Sequence, residues 1–135
     1  MENYDFGRKI GQGSYATVYL VRHKVTGAVY VAKEMSLENI SAKEYASMET
    51  EIRLLAKLHH PGIVQYVESF LVGSPAHTIF IIMGYCEGGD LTRFMRNREG
   101  EALSEKEVLH FLVQLLLALE YLHSENIMHR DLKPG

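Results

Sequence analysis

Apolar and polar residues alternate over Tyr4–Ile10, Ala16–Arg22 and Ala28–Met35, the two-residue period of half-buried strands. The connectors between them, Gly11-Gln12-Gly13-Ser14 and Lys24-Val25-Thr26-Gly27, carry the glycines that tight turns need. From Ser41 to Leu58 the period lengthens, with Met48, Ile52, Leu55 and Leu58 three or four residues apart, which predicts a helix ended by Pro61-Gly62. Two further apolar runs, Ile63–Phe70 and His77–Met83, joined through Gly73-Ser74-Pro75, complete a predicted five-stranded antiparallel sheet with one helix, an α+β fold. Beyond the Glu87-Gly88-Gly89 turn, Asp90–Arg98 reads as a short helix. The strongest helix signal follows. Ser104 and Glu107 fit a capping box, Leu103 and Val108 are spaced for a hydrophobic staple across it, and the pattern runs to about Ser124. Its broad apolar face, Leu112, Leu115, Leu116, Leu119 and Leu122, demands a cover that the rest of the sequence supplies poorly.

Composition narrows the class. The 135 residues are 47% apolar, enough for a folded core, and the net charge of −3 offers no global field for nucleic acid or an anionic membrane. The most apolar stretch, Phe111–Leu119, contains Gln114 and is too short to span a bilayer; the first residues lack a signal-peptide layout. The one cysteine, Cys86, cannot form an internal disulfide, which predicts an intracellular protein, cytoplasmic or nuclear. The seven histidines lack the spacing of a metal site, so no protein metal ligands are expected.

Four stretches carry candidate chemistry. In Gly11-Gln12-Gly13-Ser14-Tyr15-Ala16-Thr17-Val18 the glycines allow backbone N–H groups to approach phosphate oxygens; a plain hairpin explains the same residues. A Rossmann loop is excluded, since this turn leads into a strand rather than a helix. Lys33 ends the strand Tyr30-Val31-Ala32-Lys33, where its ammonium can hold phosphate as a point charge, oriented by an anion. Glu51 is the leading candidate for that anion, with Glu51, Leu55 and Leu58 facing inward and Glu49 pointing elsewhere. Two solvated charges are the plainer alternative. Ile79–Leu91 reads as a buried strand leaving through a connector whose Gly84 and Cys86 backbone groups are free to pair with a base edge. Asp90 could accept from a ribose hydroxyl, although a turn with a helix N-cap accounts for Gly88-Gly89-Asp90 equally well. Last comes His129-Arg130-Asp131-Leu132-Lys133-Pro134, which reads as the opening of a catalytic loop.

The order of these four, from about Tyr4 to the last residue, resembles the eukaryotic protein kinase family. Tyr85-Cys86-Glu87-Gly88-Gly89-Asp90-Leu91 with Val31-Ala32-Lys33-Glu34 is most similar to the NIMA-related serine/threonine kinases. The resemblance implies a partial kinase domain over 4–135: an N-terminal lobe at about 4–83, a hinge at 84–90 and the start of a helical C-terminal lobe at 91–135, with ATP and magnesium held between. Ile10, Gly11, Gln12, Gly13, Ser14, Tyr15, Ala16, Val18, Val31, Lys33, Met83, Gly84, Cys86 and Asp90 would contact the nucleotide. Val18 and Val31 would roof the adenine and Met83 would be the gatekeeper. Lys33 would hold the α/β-phosphates and pair with Glu51, Asp131 would be the base, and Lys133 would support the transferred phosphate. Lys133 after Asp131-Leu132 is the serine/threonine pattern. His129 would sit in the core between lobes.

Three positions depart from the family pattern: Ala16 for the third glycine, Val31 for alanine and Gly84 for an acidic hinge residue. The asparagine expected one residue after Gly135 and the Asp-Phe-Gly magnesium site are absent from the sequence, so the chain as written is expected to be inactive. The expected function is transfer of the ATP γ-phosphate to protein serine or threonine hydroxyls, carried here by an N-terminal fragment. The alternative is an inactive kinase-like chain that binds nucleotide or protein. Self-association through residues 104–124 is a further expectation.

Overall fold

The computed structural model describes residues 2–13, 16–73 and 77–134. The chain divides into two compact units, Met1–His59 with Val64–Tyr85, and His60–Ile63 with Cys86–Gly135.

In the first unit, β1 (Tyr4–Gln12), β2 (Ala16–His23), β3 (Val29–Ser36), β4 (Tyr66–Val72) and β5 (Thr78–Gly84) form a five-stranded antiparallel sheet in the order β1-β2-β3-β5-β4. Each predicted strand is present. The fourth begins at Tyr66 rather than Ile63, because the Ile63 N–H closes a turn onto the His60 carbonyl at 3.0 Å around Pro61-Gly62. Ser14 of the first predicted turn, Tyr15 of the glycine-rich stretch, and Ser74 and Pro75 of the Gly73-Ser74-Pro75 connector lie outside the described residues.

Alternation divides the sheet's residues between its faces. Tyr19, Ala32 and Ile82 stand opposite one another across three strands, and with Tyr4, Val21 and Phe80 they build an aromatic-rich core. Ala32 and Ile82 are fully buried. β1 and β4 are opposite edges of the sheet, yet the Tyr4 hydroxyl donates to Glu68 Oε1 and the Tyr4 ring lies 6.4 Å from that of Phe70. The sheet therefore curls until its edges meet over the core. Burial and the Glu68 hydrogen bond push the Tyr4 hydroxyl well above the usual phenol range.

The helix α1 (Ala42–Lys57) starts at Ser41, whose side chain accepts from the Glu44 N–H while Glu44 accepts from the Ser41 N–H, a complete capping box. Tyr45, Met48, Glu49, Ile52, Leu55 and Ala56 are half-buried, and Tyr45, Glu49, Ile52 and Arg53 line a groove of about 310 Å³ with Ser69, Phe70, Leu71 and Ile79 of the sheet. This corrects the expected inward face. Glu51 is exposed, and Glu49 faces the sheet with Arg53 at 3.6 Å. The reason is the helical period: at 3.6 residues per turn the packed stripe centres on Ile52, and Glu51 is turned about 100° away from it.

In the second unit, α2 (Leu91–Arg96) is shorter than predicted, and α3 (Glu105–Ser124) runs as predicted from a capping box at Ser104 and Glu107. Arg98 ties the connection between them. It pairs with Glu107 at 2.8 Å, donates to the Ala102 carbonyl and lies over the Phe94 ring. Residues 60–63 pack on α3: the His60 ring stacks on Tyr121 at 5.2 Å, and a Cβ on Gly62 would approach the Ala118 Cβ to 3.1 Å. Only Ala118 and Leu122 of α3 are buried, while Leu112, Leu115 and Leu116 are exposed.

Candidate functional site

The residues expected at the nucleotide fall in both units. In the first, Val18 stands opposite Lys33, which in turn stands opposite Ile81; Leu20, Val31 and Met83 form the next row. Because alternate residues share a face, Val18, Val31, Lys33, Ile81 and Met83 lie together on the side of the sheet away from the aromatic core. Gly11 pairs with Val18 after two register shifts in β1, the irregularities by which a strand re-aims its end. The Gly13 N–H closes the turn onto the Ala16 carbonyl at 2.8 Å, and a Cβ on Gly13 would meet nothing nearer than 3.8 Å. Ile10 and Gln12 are exposed, and Ala16 is half-buried.

Lys33 is half-buried, and no ion pair joins it to Glu51 among the described residues. The structure thus brings Lys33 together with Val18, Val31 and Met83 but not with Glu51. The connector departs from expectation as well. The Gly84 N–H is not free, since it donates to the Gln65 carbonyl at 2.8 Å, and Gly84 pairs with Tyr30 as the last residue of β5. An antiparallel neighbour claims that group, a partnership invisible in the local sequence because it runs through the backbone of Gln65.

In the second unit, Cys86 is exposed and its carbonyl accepts from the Gly89 N–H at 3.1 Å. Gly89 takes a positive φ of 76°, which favours glycine, and a Cβ there would lie 2.8 Å from Arg93 Cδ. Asp90 is the N-cap of α2, its Oδ1 accepting from the Arg93 N–H at 2.7 Å. The Thr92 N–H donates to the Pro134 carbonyl at 3.0 Å. Sequence reasoning missed that link; a backbone pairing leaves no compositional trace.

Within the His129–Pro134 segment, Lys133 Nζ lies 2.8 Å from Asp131 Oδ2. The hydrogen bond and charge of Lys133 hold the Asp131 carboxyl below the usual range. The Asp131 N–H donates to His129 Nδ1 at 3.3 Å, and Arg130 adopts a left-handed φ of 62°. His129 is exposed, and its ring accepts from the turn that follows it. Among the described residues no group of three or more His, Cys, Asp or Glu side chains converges to hold a metal.

The protein kinase domain profile matches residues 4–135, and the chain belongs to that family. It is 45% identical over 130 residues to serine/threonine-protein kinase Nek4 of Mus musculus, covering 96% of this chain and 16% of that protein. It is 40% identical over 133 residues to serine/threonine-protein kinase Nek1 of Mus musculus, covering 98% of this chain and 11% of that protein. Serine/threonine-protein kinase Nek3 of Oryza sativa subsp. japonica is 39% identical over 133 residues, 98% of this chain and 22% of that protein. The similarity to NIMA-related kinases extends over almost the whole chain, which spans about a tenth to a fifth of the length of these curated relatives. As a family, protein kinases use ATP with magnesium and act on protein substrates.

Proposed function

We propose that the chain serves in a serine/threonine protein kinase, with Lys33 positioning the ATP phosphates, Asp131 taking the proton of the acceptor hydroxyl and Lys133 supporting the transferred phosphate. The observation that carries this reading is the shared sheet face of Val18, Val31, Lys33 and Met83. An apolar row beside a half-buried ammonium, which has no ion pair to a carboxylate among the described residues, suits a planar base joined to an anionic chain. Val31 and Ile81 are buried there and supply the apolar contact. Glycine at positions 11 and 13 lets phosphate oxygens approach the backbone without a side chain in the way. ATP fits these residues.

Magnesium is a different case. Among the described residues no cluster of side chains offers it protein ligands. The roles that this chain's own residues fill are positioning by Lys33 and proton acceptance by Asp131, whose charge Lys133 stabilises. Asp131-Leu132-Lys133 is the serine/threonine form of the loop, so the substrates are protein serine or threonine hydroxyls.

The test is Lys33→Met in the full-length protein, assayed with a serine/threonine peptide and with a tyrosine peptide. Losing one preorganised charge contact typically costs about 2.7–4 kcal/mol of barrier, a fall of about 10²–10³ in turnover. Near wild-type turnover would remove Lys33 from the site. Preference for the tyrosine peptide would overturn the substrate class.

A further inference from the structure

We draw no further inference here: the strongest candidate, the cavity of about 630 Å³ between the start of β2, the end of β3 and the first turns of α1, lined by Glu34, Met35, Glu38, Glu44 and Met48, carries nothing because beyond its acidic side chains no feature of the structure shows what would occupy it.

Discussion

The two units solve the same problem, covering apolar surface, to different degrees. In the first, the sheet covers itself: its curl brings Tyr4 of β1 to Glu68 and Phe70 of β4, closing aromatic rings over Ala32 and Ile82, while α1 lies against β4 and β5 on the other face. In the second, α3 buries Ala118 and Leu122 but exposes Leu109, Leu112, Val113, Leu115, Leu116 and Leu117. A sheet of five strands can fold over on itself, whereas an apolar helix face can be buried only by another element. The candidate chemistry divides in the same way. Lys33 sits in a rigid ladder, whereas Asp131 sits in an exposed segment and depends on individual hydrogen bonds.

The largest effect should come from the self-covered unit. Ile82→Ala removes a fully buried side chain and should cost about 2–5 kcal/mol, whereas Leu116→Ala, at 54% exposure, should change stability by less than about 0.5 kcal/mol. Denaturant unfolding of the two variants measures the contrast, and equal losses would erase it. Next is association. Each exposed leucine of α3 forgoes roughly 1.5–3 kcal/mol while unburied, so the isolated 135-residue chain should self-associate, and Leu112→Glu with Leu116→Glu should return it toward a monomer by light scattering. A monomeric parent chain would show that this face needs no cover.

Smaller effects concern pH. In the first unit, Tyr4 has its hydroxyl raised above the unfolded value, so the stability it contributes is complete below about pH 10 and is lost as pH climbs from there toward the folded value. Tyr4→Phe should flatten that alkaline limb in a stability–pH series. In the second unit, Lys133 depresses Asp131, which therefore stays ionised to lower pH. Lys133→Met should shift the acid limb of the kcat/KM profile of the full-length enzyme upward, by a modest amount because both groups are exposed. An unmoved limb would mean that the pair does not set the base.

Legibility in the sequence followed the range of the interactions. The five strands, the long helices and the Ser104–Glu107 box were readable because alternation, the 3.6-residue period and capping are local rules that act within a few residues. So were Lys33 and Asp131-Leu132-Lys133, whose residue types and order carry their chemistry. The Ser41–Glu44 box was equally visible in its spacing.

What the sequence by itself determined is thus the element list, the two-residue and 3.6-residue faces, and the family. The tertiary structure decided which of those faces met. It turned Glu49 rather than Glu51 onto the sheet, because the packed stripe of α1 is fixed by where Ile52 and Tyr45 lie against β4 and β5. It spent the Gly84 N–H on Gln65, joined Tyr4 to Glu68 across 64 positions of sequence, and tied Thr92 to Pro134. Each is a contact between segments far apart in the chain, and two of them run through backbone atoms that every residue possesses. Pairings of that kind depend on the register and curl of whole elements, which exist only once the chain has folded.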